Sequence, residues 1–155
     1  GFYDERLVRN QDIELNKRIV CGGGHIYIVP DTYCTYLARE TFMSLAKNNY
    51  GNGKWNILTV YYTKQFKSLS IRHFIPLLFL LSLIVPSIFS CIYFPIGILS
   101  LLSLLLYGLL ISLVSLSLVL KEKRCFWYLM KAFVVLHLSY GCGSLVGMFM
   151  IKYGK

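Results

Sequence analysis

"GGGHIYIVP" (residues 22–30) is the stretch on which the fold class turns. Three consecutive glycines stop whatever helix precedes them, because glycine accepts the left-handed backbone that closes a helix. His25, Ile26, Tyr27, Ile28 and Val29 then form a β-branched and aromatic run ended by Pro30, which reads as a buried strand. Upstream, Asn10 is a good N-cap residue. Residues 11–21 set Ile13, Ile19 and Val20 among polar side chains, so a short amphipathic helix is expected there. Downstream, a second helix is expected over about 39–48, broken by "NYGNGKW" (49–55), with a basic, aromatic segment following over 55–73. One helix–strand–helix unit buries too little to stand alone. The chain starts at Gly1 and not at an initiator Met, and the expectation is a piece of a longer protein, completed upstream.

Working outward, the composition divides the chain in two. It has 155 residues, 56% hydrophobic, with 16 Lys and Arg against 7 Asp and Glu. That is more apolar material than a soluble domain of this size needs. Six of the seven acids lie within residues 4–40, whereas residues 74–120 carry no charge at all. Such a run is about twice what one helix needs to cross a bilayer. Residues 1–72 are therefore a polar, mixed part, and 73–155 a membrane region with spans over about 74–93, 96–120 and 126–151. The first two spans join at Pro95. Lys131 near the start of the third could snorkel to the interface, and this segment either spans or lies in the interface. Gly143 and Gly147 form a small-xxx-small pair that would let a neighbouring helix approach; helix flexibility accounts for it equally well.

Several signals carry no chemistry. Cys21, Cys34, Cys91, Cys125 and Cys142 include no C-x-x-C pair and read as small apolar fillers. "GCGSLVG" (141–147) follows no strand and reads as membrane packing, not a dinucleotide loop. His25, His73 and His137 are too dispersed for a metal site. The net charge of +9 reads as membrane-surface anchoring, and the basic, aromatic stretch 54–72 abuts a membrane span, so anionic lipid headgroups or a lipid-pyrophosphate acceptor are expected as partners, and no nucleic acid.

Asp12 and Glu14 share one helical turn. An Asp near the N-terminus of a capped helix is favoured as the anion by the helix dipole. That suits a general base, and it equally suits a structural carboxylate. Glu14 lies roughly 200° further round the helix and should face elsewhere; we expect it to be structural.

The order of residues adds a resemblance. "GFYDERLVRNQDIELNKRIVCGGGHIYIVP" (1–30) is similar to the acceptor-side half of family-2 glycosyltransferases of the GT-A type. In that family an aromatic–Asp–Glu turn precedes an acid or amide, an Asp, Glu-Leu, an Arg, a Gly turn and a strand ending in Pro. Here these are Phe2, Asp4, Glu5, Gln11, Asp12, Glu14, Leu15, Arg18, Gly22, Gly23 and Pro30. "YLARETFMSLAKNNYGNGKW" (36–55) looks like the helix with the family's Arg near its start and a Gly–basic–Trp motif at its end. The membrane segment after "IRHFIP" and "HLSYGCGSLVG" (137–147) look like the succinoglycan-biosynthesis type.

The resemblance implies an α/β fold class, the C-terminal part of a GT-A domain, followed by an all-α membrane region of two to three transmembrane helices. It implies an inverting transfer from a nucleotide-sugar donor to a saccharide or polyprenyl-linked acceptor, in cell-surface or exopolysaccharide synthesis. Asp12 would be the general base, Gln11 would position substrate, Lys54 would meet the donor diphosphate and Trp55 would stack on the acceptor sugar. Lys54 stands where the family has Arg, and lacks its bidentate fork; Gly51 stands where the family has Gln, which argues against a long processive polymer. Mg²⁺ or Mn²⁺ is implied as the ion on the leaving diphosphate, with its ligands outside these residues, so this piece alone should be inactive. The rival from another class is a non-enzymatic multi-pass membrane subunit whose 1–72 region docks a partner, with Trp55 an interfacial anchor.

The charge pattern makes a topological prediction. Lys47, Lys54, Lys64, Lys67 and Arg72 precede the first span, and Lys121, Lys123 and Arg124 follow the second, so both clusters belong on the cytoplasmic face of the cell membrane. Cysteines introduced near Lys67 and Lys123 should label from the same side of the membrane; labelling from opposite sides refutes the paired crossing.

Overall fold

The computed structural model describes residues 2–64, 71–122 and 125–153. It consists of five α-helices: α1 (Gln11–Cys21), α2 (Phe42–Thr63), α3 (Ile75–Phe89), α4 (Gly97–Glu122) and α5 (Phe126–Tyr153). Short 3-10 turns, Ile71–Phe74 and Phe94–Ile96, lead into α3 and α4. Lys67, Lys123, Arg124 and Lys155 lie outside the described residues.

The α/β expectation does not hold, for there is no strand among the described residues. Residues 25–29 are irregular, with Ile28 92% and Tyr27 83% exposed. A strand persists only where neighbours take up its N–H and C=O groups and one face is buried. Here neither condition is met, and β-propensity alone does not hold the segment in a sheet.

Helix α1 has the expected bounds. The glycine stop works as anticipated: Gly23 takes φ +81°, and the Gly22 and Gly24 N–H groups donate to the Arg18 and Ile19 carbonyls at 3.0 and 2.9 Å. Asn10, however, does not cap. It sits in the left-handed region at φ 63° with no side-chain cap bond, because its amide is used elsewhere.

The second correction concerns α2, which is not broken at 49–55 but runs through Gly51 and Gly53 to Thr63. Thr41 caps it, its Oγ1 accepting from the Ser44 N–H at 3.2 Å. A glycine costs a helix about 1 kcal/mol relative to alanine, too little to end one when contact offsets it. A Cβ on Gly53 would strike the Tyr140 carbonyl of α5, and one on Gly143 would strike the Tyr50 carbonyl of α2. At Gly147 it would come 2.8 Å from the Lys54 carbonyl oxygen. The glycines let two backbones touch. Of the two readings of Gly143 and Gly147, close approach is the one realised.

The two helices run parallel, since their contacts advance together from Phe42 on Tyr128 (ring centroids 4.9 Å) through Gly53 on Tyr140 and Ser144 to Ile57 on Gly147. Lys131 places its Nζ 4.8 Å over the Phe42 ring at the start of this pair.

Helices α3 and α4 form a hairpin. Ser100 Oγ donates to the Leu83 carbonyl at 2.9 Å, and Phe79 stacks on Tyr107 at 4.0 Å. Tyr107 in turn meets His137 Nδ1 at 3.0 Å on α5. Gly141 lets α3 cross α5, where a Cβ would come 2.7 Å from the Pro76 carbonyl oxygen.

Three stretches, Arg72–Phe89, Phe94–Lys121 and Phe126–Tyr153, are long and apolar enough to cross a bilayer. Leucines 101, 102, 104, 105, 106, 109 and 110 of α4 are all exposed, far more apolar surface than a water-soluble monomer presents. The chain is a multi-pass membrane protein. All five cysteines are free and exposed.

The helix contact predicts an asymmetry among glycines. Gly53→Ala and Gly143→Ala should each force α2 from α5 and destabilise by about 1–3 kcal/mol, the usual cost of overpacking. Gly108→Ala, with nothing within 4 Å, should be neutral or stabilising by up to about 1 kcal/mol. Thermal unfolding of the three variants in detergent decides; equal effects would refute the contact.

Candidate functional site

On the side of α2 turned toward the N-terminal segment, Asn48, Asn52, Asn56 and Thr59 recur at intervals of four, four and three, and so line one face. The chain before α1 binds along this stripe. Arg9 Nη1 donates to Asn52 Oδ1 at 2.8 Å and to the Asn48 carbonyl and Oδ1, both at 3.2 Å. Its guanidinium lies over Gly51, where a Cβ would come 2.9 Å from Cζ. Asn10 Nδ2 donates to Asn56 Oδ1 at 2.6 Å. Asn56 Nδ2 donates to the Tyr140 hydroxyl of α5, and Thr59 Oγ1 to the Trp55 carbonyl at 2.6 Å. One amide thus ties the start of α1, the middle of α2 and α5 together. Leu7, fully buried, and Arg6, 5.7 Å over the Tyr62 ring, complete the docking.

The two acids of α1 separate as the helical period requires. Asp12 is exposed in the first turn. Glu14 is buried at 8% exposure and accepts from Arg18 Nε at 3.1 Å and Nη2 at 2.8 Å, while Arg18 Nη2 also donates to the Phe2 carbonyl at 2.8 Å. Glu14, through Arg18, therefore holds Phe2 against α1. Asp4 is clamped locally by Arg6, whose Nε and Nη2 donate at 2.9 and 2.7 Å. These bonds hold its carboxyl at about 2.

The other residues expected at a site are distributed around this junction. Gln11 Nε2 turns back to donate to the Leu7 carbonyl. Lys54 and Trp55 are half-buried on α2, with Lys54 Nζ 5.6 Å from the Trp55 ring centroid. Asn10 precedes Gln11 and Asp12 by one and two positions, and Asn56 follows Trp55 by one. Their hydrogen bond ties the residue before α1 to the middle of α2. Among the described residues no hydrogen bond or ion pair joins Asp12 to Lys54 or Trp55. Nor do three His, Cys, Asp or Glu side chains converge there. Among the described residues a divalent ion therefore finds no set of three such ligands.

The asparagine stripe was not anticipated. Its signal, Asn at 48, 52 and 56, is in the sequence, but the spacing has meaning only if the helix continues through 49–55. No protein-family model, curated protein or solved structure matches the chain.

The junction predicts that Asn56→Ala, which leaves the Asn10 amide only its longer bond to Thr59 Oγ1 at 3.4 Å and takes the Asn56 donor from the Tyr140 hydroxyl, costs about 1–3 kcal/mol. In an Asn10→Ala, Asn56→Ala double-mutant cycle the pair should show a coupling of 0.5 kcal/mol or more, at roughly the lower bound for residues in contact. Unfolding of the four proteins in detergent measures it; strict additivity would mean that the bond contributes nothing.

Proposed function

We propose that this chain is the acceptor-side, membrane-bound part of an inverting family-2 glycosyltransferase acting in cell-surface polysaccharide synthesis at the cytoplasmic membrane. Two things support the reading: the ordered set of residues that resembles that family, and a bond between the segments that carry its two motifs. The second carries it, because Asn10, next in the chain to Gln11, bonds at 2.6 Å to Asn56, next in the chain to Trp55. Motifs serving one substrate must meet in space, and these are more than forty residues apart in sequence.

In this reading Asp12 accepts the proton of an acceptor hydroxyl as that oxygen attacks the anomeric carbon of a nucleotide sugar. The bond from that carbon to the diphosphate oxygen breaks, the configuration inverts and the nucleoside diphosphate leaves. Exposure of Asp12 leaves it open to a hydroxyl. Trp55 offers the sugar a flat apolar face. Lys54 is a point charge for the diphosphate. A saccharide or a polyprenyl-linked acceptor suits a catalytic part held against the cytoplasmic face.

The rival reading, a non-enzymatic subunit that docks a partner, draws on residues 25–41, where Tyr33 is 97% and Leu37 83% exposed. One pair of variants in the full-length protein separates them. Asp12→Asn should lower transfer by about two to four orders of magnitude, the usual contribution of a positioned base, with nucleotide-sugar binding unchanged. Glu14→Gln should keep its rate per folded molecule while loosening α1, because it loses half of the Arg18 pairing. Near-normal transfer by Asp12→Asn makes that carboxylate a helix-end stabiliser, and a dead Glu14→Gln would mean the other acid is the base.

A further inference from the structure

Two guanidinium groups meet at one amide oxygen. Arg9 Nη1 and Arg39 Nη2 both donate to Asn48 Oδ1, at 3.2 and 3.0 Å, so the two cations stand within two hydrogen-bond lengths of each other. Like charges this close repel, and a carboxylate nearby is the common remedy. Here none serves. The ion pairs among the described residues are Arg6 with Asp4 and Arg18 with Glu14. Glu40, next in the chain to Arg39, is exposed and pairs with neither arginine.

The donors left over are those an oxyanion uses. All three Arg9 bonds leave from Nη1. Arg39 spends Nη1 on the Tyr36 hydroxyl at 2.6 Å and Nη2 on Asn48. The Nε–Nη2 edge of Arg9 and the Nε of Arg39 thus donate to no protein group among the described residues. Such an edge presents two parallel N–H groups matched to two oxygens of one phosphate. The mount is rigid, since Arg9 lies over Gly51 and is held by Asn52. Beside Arg39 a cavity of about 170 Å³ opens, lined by Arg39, Glu40, Thr41, Phe42 and Tyr128. Lys47, exposed and adjacent in sequence to Asn48, adds a third positive charge.

We propose that Arg9 and Arg39, bridged by Asn48, form a binding site for a phosphoryl oxyanion, either a soluble diphosphate or the phosphate of a lipid headgroup. The terminal oxygens of a phosphoryl group, spread tetrahedrally, accept from both guanidinia at once. The site stands whether or not the chain transfers sugar, and it uses none of Gln11, Asp12, Lys54 or Trp55.

The test uses the detergent-purified full chain, inorganic pyrophosphate as probe, and two variants. Asn48→Asp supplies the missing carboxylate in place, keeps the helix, and should raise the unfolding temperature while weakening pyrophosphate binding by about tenfold or more. Arg39→Gln, at an exposed position, should weaken binding by a similar factor without loss of folding. Calorimetric titration reads both. A second arm compares unfolding temperature in phosphatidylglycerol and phosphatidylcholine nanodiscs. Pyrophosphate binding that both variants weaken assigns the site to a soluble diphosphate. Stabilisation by phosphatidylglycerol that both variants abolish, without pyrophosphate binding, assigns it to a headgroup. The proposal is overturned if the wild type responds to neither probe, or if either variant responds as the wild type does.

Discussion

Where α2 meets α5 the two helix backbones touch, and most of the molecule is arranged around that contact. Gly53 faces the Tyr140 carbonyl, Gly143 faces the Tyr50 carbonyl and Gly147 lies beneath the Lys54 carbonyl. Close van der Waals packing and hydrogen bonds hold the two together. Only residues without a Cβ allow this separation. Because the helices are so near, short side chains reach across: Ser144 Oγ to the Gly53 carbonyl at 3.3 Å, and Asn56 to the Tyr140 hydroxyl. A wider spacing would leave both without partners.

The same contact explains how a polar helix lies along an apolar one. Helix α2 runs beside α5, which at 28 residues is long enough to cross a bilayer. Where the two pack, Asn56 and Thr59 are buried, and a buried polar group needs a protein partner. The Asn stripe meets that demand by binding the N-terminal segment through Arg9 and Asn10, so α1 is docked by the groups that α2 must satisfy. The bond of Asn10 to Asn56 is then a consequence of satisfying the polar groups of α2, and the chemistry proposed for Asp12, Lys54 and Trp55 is built on it. The division of the chain at residue 72 is real in composition, yet α2 and α5 pack across it.

Some of the site was legible before any coordinates. The 100° step per residue separated Asp12 from Glu14, and the structure has one exposed and the other buried on Arg18. The Gly22 stop set the end of α1 correctly. Asn10 was recognised as special for a plausible but wrong reason: it begins the helix, yet its side chain crosses to Asn56. The strand over 25–29 failed because β-propensity describes fitness for a sheet that the described residues do not contain.

Glycine marks the boundary between what each level decides. Length and hydropathy are local sums, so the sequence by itself determined a membrane region of three apolar helices, with two of them turned at Pro95, and the short helix α1. Whether a glycine breaks a helix or joins two depends on the atom opposite it, which is no property of the local sequence. Gly51 and Gly53 therefore looked like an end. Only the tertiary structure, by laying Arg9 over one and the Tyr140 carbonyl against the other, made α2 continuous, aligned Asn48, Asn52 and Asn56 on one face, and brought α1 to them.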